Sequence, residues 1–157
     1  MADWIRLTAP AALAATLASP AYAVQYLSIA QAQKLAFPSA TNFVPAEGGR
    51  AFKAQAGDRV LGLFVLDHVI GKHLYIDYAV ALDTSGRIHR VDILAYRESY
   101  GGEVREASWL GQFVGKSSAS ALRVGQDIRN ISGATLSSHH VTEGVKRIVT
   151  AYGGRVR

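Results

Sequence analysis

Apolar and polar positions follow two periods along this chain. Between Arg50 and Ser99 the period is close to two. "RAFKAQAGDRVLGLFVLDHVIG" holds two strand-like runs split by Gly57-Asp58, "HLYIDYAVALD" alternates, and "RIHRVDILAYRES" returns after a turn at Asp83 to Gly86. Toward both ends the period becomes helical. "IAQAQKLAF" predicts a short helix that Pro38 stops, with Ser28 as N-cap and Gln31 completing a capping box. The last helix is predicted from about Ser138 to Tyr152. Its apolar stripe is Val141, Val145, Ile148, Val149 and Tyr152, and it stops at Gly153-Gly154. Trp109, Leu110 and Phe113 also fall at helical spacing, which reads equally as core. "ATNFVPAEGG" and "SSASALRVGQDIRNI" read as loops. The sum is an α+β fold, an antiparallel sheet with helices packed on it in a single domain.

Composition changes that picture at the N-terminus. Hydrophobic residues make up 49% of the chain and charged residues 18%, below the ~25% charged of ordinary soluble domains. Part of the excess lies in Leu7 to Ala18, which is shorter than the ~20 residues that span a bilayer. A small-x-small pattern, Ala21-Tyr22-Ala23, follows it. Residues 1–23 therefore read as a signal peptide and residues 24–157 as the mature domain, with a periplasmic location and room for membrane association.

The chain has no cysteine, which excludes disulfides, thiolate zinc sites and iron–sulfur clusters. Net charge is +5, which suits acidic partners or anionic headgroups. No basic run with interleaved aromatics points to nucleic acid. The histidines give no metal-ligand spacing. His139 and His140 point to different sides of a helix start, and His68, His73 and His89 sit on strand-like segments.

One stretch carries candidate chemistry. In "ISGATLSSHH", small residues and hydroxyls precede the last helix. A helix N-terminus leaves N–H groups unpaired and carries partial positive charge, so it suits an anion. Gly133 and Ala134 allow close approach, and Ser132, Thr135, Ser137 and Ser138 add hydroxyls. The same pattern also reads as ordinary capping and a tight turn.

"SGATLSS" resembles the attachment motif of the FMN-binding domain family, which includes the C subunit of the sodium-translocating NADH:quinone reductase and the G subunit of the Rnf complex. "ILAYRESYGGEVREASWLGQF" resembles a second block of that family. "YLSIAQAQKLAFPSATNFV" and "VALDTSGRIHRVDILAYRES" resemble its small exported members, so the likeness covers most of residues 24–157. The resemblance implies FMN as cofactor, joined by a phosphoester to Thr135, with Ser132, Gly133, Ala134, Leu136 and Ser138 around the link. It implies that Glu98, Ser99, Tyr100 and Gly101 line the flavin, with Trp109 and Leu136 as further walls. It also implies loading by a flavin transferase that uses FAD as donor, and a membrane or periplasmic redox partner. In the fuller family pattern an Asp stands three residues before the serine. Here that position is Arg129, and the nearest acid is Asp127. Arg129 suits pairing with a phosphate. The expected role is an electron relay more than a substrate-transforming enzyme. The alternative is a flavin-free binding or maturation module that serves an exported redox enzyme.

Overall fold

A computed structural model of the protein describes residues 24–46 and 48–156. The segment read as a signal peptide lies outside the described residues. Six strands form one antiparallel sheet in the order β1-β6-β5-β4-β3-β2. They are β1 (Val24–Gln25), β2 (Asn42–Pro45), β3 (Ala51–Ala56), β4 (Arg59–Ile70), β5 (Tyr75–Asp83) and β6 (Ile88–Tyr96). Three helices complete the fold: α1 (Ile29–Ala36), α2 (Ala107–Leu110) and α3 (Thr135–Tyr152). The α+β architecture expected from the two periods is the one observed.

The strands form where alternation is strongest, and both faces are covered. One face holds Leu63, Val65, Ile76, Tyr78, Val80 and Leu82 under α3 and the α2 region. The other face presents Phe64, Ala79, Ala81 and Leu94 to Ala32, Ala36 and Phe37 at α1. Two-sided burial explains why the β5 sequence is nearly continuous in apolar residues. The capping box of α1 is formed: Ser28 Oγ accepts from Gln31 N, and Gln31 Oε1 accepts from Ser28 N at 2.8 Å. The hairpin at Asp83 is formed too, with Asp83 Oδ1 accepting from the backbone N–H of Ser85 and Arg87.

α3 buries Val141, Val145, Ile148 and Val149, the stripe expected from the sequence. Gly144 lets it lie close to the sheet, because a Cβ there would sit 2.2 Å from the Tyr78 hydroxyl oxygen. Three boundaries differ from the sequence reading. Residues 42–45 pair with β3 as an edge strand, where Pro45 is tolerated because an edge residue need not donate inward. The Trp109 region is a 3₁₀ turn over Gly102–Arg105, the four residues of α2 and a second 3₁₀ turn over Gly111–Phe113, short pieces in place of one helix. α3 begins at Thr135 and not near Ser138, so Thr135 is its first helical residue.

Candidate functional site

The site is built where β6 ends and α3 begins. A tight turn precedes α3. Ala134 N donates to Ile131 O at 3.0 Å, and Gly133 holds φ 85°, a left-handed conformation that glycine adopts without steric cost. Ala134 occupies the N-cap position, and no side chain caps the helix. The first N–H groups of α3 thus keep their donor capacity and the positive end of the helix dipole. Thr135 is exposed there, and the Asn130 amide donates to its Oγ1 at 3.3 Å.

The four hydroxyls of this stretch divide by helical phase. Ser132 and Thr135 are exposed. Ser137 and Ser138 fall on the buried stripe of α3. Ser138 Oγ donates back to Ala134 O at 2.9 Å, so its hydroxyl is engaged inside the helix. Ser137 Oγ lies 3.1 Å from the Tyr96 hydroxyl at the end of β6. That Tyr96 hydroxyl also donates to the Tyr100 carbonyl. Burial raises the Tyr96 pKa, with Glu98 and Glu103 adding to the rise, so the hydroxyl keeps its proton at neutral pH.

This pair draws the loop after β6 onto α3. Gly101, with φ 89°, packs into the corner. A Cβ there would meet the Tyr96 hydroxyl oxygen at 2.6 Å, Ser137 Oγ at 3.1 Å and Ala134 Cβ at 3.4 Å. The structure therefore brings Gly101, Ala134, Thr135 and Ser137 together. Beside them Tyr100 is 86% exposed and Leu136 49% exposed. Ser99 is also exposed.

Glu98 and Trp109 are placed differently. The Glu98 carboxylate accepts from the backbone N–H of His73 and Leu74, on the turn between β4 and β5. Desolvation pushes its pKa up, but the N–H groups of Leu74, His73 and Lys72 outweigh this and leave it below its ordinary value. Trp109 is buried with its edge on Phe113, ring centroids 5.2 Å apart, and its Nε1 donates to Arg129 O at 2.8 Å. It braces the strap that leads to Thr135.

A cleft of about 870 Å³ adjoins the loop after β6, lined in part by Tyr26, Asp92, Tyr96, Glu98, Tyr100 and Arg105. Its lining includes residues 98–101 but not Thr135. Asp92 in that cleft is matched by Arg90, bidentate at 2.6 and 2.7 Å.

Arg129 stands on the exposed strap, with its N–H and Nε both directed to Gln112 Oε1 at 2.8 and 3.3 Å. Asp127 is occupied elsewhere. It accepts from Leu122 N and Arg123 N and pairs with Lys116 at 3.3 Å. Desolvation raises its pKa, yet these backbone donors and Lys116 hold it below the ordinary value. Its oxygens thus close the 122–127 loop.

The histidines are dispersed. His140 Nδ1 faces the carbonyls of Ile70 and Gly71, His89 stacks on Phe37, and His68 packs edge-on to Tyr75. Among the described residues no three His, Asp or Glu side chains converge as a metal site, and no helix is long and apolar enough to cross a membrane. Sequence reasoning missed Asn130, Tyr96 and the turn at residues 71–74. Asn130, five residues before Thr135, was the only one of these with a local signal.

The α+β fold thus presents an exposed hydroxyl, that of Thr135, at a helix start with no side-chain cap. The chain belongs to the FMN-binding domain family, whose model matches residues 71–150, just over half of its length. None of the curated proteins compared with the chain matches it. FMN is accordingly the cofactor. The residues present fit it: free N–H donors at the start of α3 suit a phosphate, and Tyr100 and Leu136 offer open surface to an aromatic ring.

Proposed function

We propose that this domain is an exported electron relay that carries FMN through a phosphoester on Thr135. The observation that carries the reading is the setting of Thr135: exposed, first in α3, with no side chain capping the helix. In the loading step the Thr135 oxygen attacks the FMN phosphorus of FAD, held by a flavin transferase. An oxygen–phosphorus bond forms, the pyrophosphate bond breaks, AMP leaves and the hydroxyl proton passes to solvent. Asn130 donates to Thr135 Oγ1 and orients it. Arg129 supplies positive charge on the same strap. The N–H groups of the first turn of α3 would donate to the phosphate oxygens.

Bound there, FMN would supply one- and two-electron transfer to and from a membrane or periplasmic redox partner. The chain's own residues hold the cofactor and shape its surroundings. Tyr96, Ser137 and Gly101 fix the corner, and Tyr100 and Leu136 would offer apolar surface to the ring. A covalent link suits an exported protein, because lost FMN has no cytosolic pool to replace it.

Arg129, where the family pattern has Asp, and the prior commitment of Asp127 favour a second reading, a flavin-free module serving an exported redox enzyme. The intact mass of denatured protein, made with and without a flavin transferase, separates the two. A mass increase of one FMN less water, mapped to the peptide containing Thr135, supports the relay. An unchanged mass supports the flavin-free module.

A further inference from the structure

The residues that join β4 to β5, Gly71 to Leu74, make one bond of their own, Gly71 N to Leu74 O at 2.8 Å. The turn is also held from two sides. Glu98 Oε1 accepts from His73 N at 2.5 Å and Leu74 N at 2.7 Å. On the other side His140 Nδ1 lies 2.6 Å from Ile70 O and 2.9 Å from Gly71 O. Two carbonyls can only accept, so this nitrogen carries the hydrogen and donates. Gly71 makes the grip possible, because a Cβ there would sit 3.0 Å from Glu98 Oε1.

Both jaws come from the elements that frame Thr135. Glu98 begins the loop whose Gly101 packs on Ala134 and Ser137. His140 stands on α3, about 7.5 Å along the axis from Thr135 at 1.5 Å per residue. Leu74, at the end of the gripped turn, is 40% exposed, with Leu136 at 49%. Such a turn, held by a carboxylate and an imidazole and ending in an open apolar side chain, is preorganised to present that side chain.

We propose that the 71–74 turn is a third wall of the flavin site, that Leu74 contacts the cofactor, and that Glu98 and His140 are positioning residues acting through the turn. The proposal rests on the reading of the domain as a flavin carrier. It also changes the role expected of Glu98, from lining the flavin to holding what lines it.

The test has one arm without flavin and one with it. In flavin-free protein, Glu98→Ala and His140→Ala should speed amide exchange at His73 and Leu74 by roughly tenfold. Glu98→Gln, which keeps an acceptor oxygen, should restore most of the protection. In transferase-loaded protein the two alanine variants and Leu74→Ser should shift flavin fluorescence or midpoint potential, while covalent loading stays intact. Val114→Ser, at an apolar residue 53% exposed away from the turn, is the control. Faster exchange with flavin signals no different from the Val114→Ser control would overturn the proposal and leave the clamp a structural device. A parent protein that takes up no flavin would overturn the flavin-carrier reading and the proposal with it.

Discussion

The hydroxyl of Tyr96, at the end of β6, meets the hydroxyl of Ser137, in the first turn of α3, at 3.1 Å in a buried contact. The two residues are 41 positions apart in the chain, and their contact sets the corner in which Gly101 and Ala134 touch. Tyr96→Phe leaves Ser137 Oγ and the Tyr100 carbonyl without this partner. The expected cost is about 1–3 kcal/mol of unfolding free energy. A double-mutant cycle with Ser137→Ala in urea should show coupling, and strict additivity would mean the contact contributes nothing.

Thr135→Val keeps shape but removes the oxygen. The fold should survive, since the residue is exposed, while covalent FMN disappears. Thr135→Ser should retain some loading. Ser138→Ala should keep the link and cost about 0.5–1.5 kcal/mol at most, since its hydroxyl only bonds back within the helix. Peptide mapping decides, and flavin on Ser137 or Ser138 would refute Thr135 as acceptor.

Arg129→Asp restores an acid at the family position on an exposed strap. Loading should equal or exceed that of the parent if the transferase reads this charge. Asp127→Asn should instead loosen the 122–127 loop, because the acid closes it through Leu122 N and Arg123 N. Loading yield beside thermal midpoint distinguishes a recognition effect from a folding effect.

Tyr100 and Trp109 should separate cleanly. Tyr100, 86% exposed, can become Ala with little loss of stability while flavin fluorescence changes. Trp109 is 3% exposed and bonded to Arg129 O, so Trp109→Ala should cost about 3–5 kcal/mol. Equal stability of the two variants in chemical denaturation would be the contrary result.

Acid should loosen the 71–74 turn through Glu98. Its folded pKa lies below the ordinary 4.5, so its contribution is complete above that pH. The contribution is lost as pH falls through the lower folded value. The parent should therefore exceed Glu98→Gln in stability at neutral pH, and the difference should shrink below pH 4.5 and vanish in stronger acid. A difference constant with pH would show that the charge plays no part.

N-terminal sequencing of the exported protein should begin at Val24. A retained Met1 with membrane association would mean an anchor in place of a signal peptide.

Local pattern alone determined much of this protein. Alternation fixed four central strands, Asp83 to Gly86 fixed their hairpin, and Ser28 with Gln31 fixed the start of α1. The apolar stripe fixed which face of α3 is buried, and the "SGATLSS" stretch marked the family that residues 71–150 match. These signals are legible because their causes act within a few residues: side-chain period, caps and turns. Only the tertiary structure decided where Glu98, Asp127, Ser137 and His140 direct their polar atoms. Glu98 Oε1 accepts from the N–H groups of His73 and Leu74, more than twenty residues away in the chain. Asn42 to Pro45 became a strand because β3 offered an edge, and Trp109 became a brace because Arg129 O stood within reach. A polar atom bonds with whatever partner the fold brings near, and that partner is set by chain segments far away in sequence.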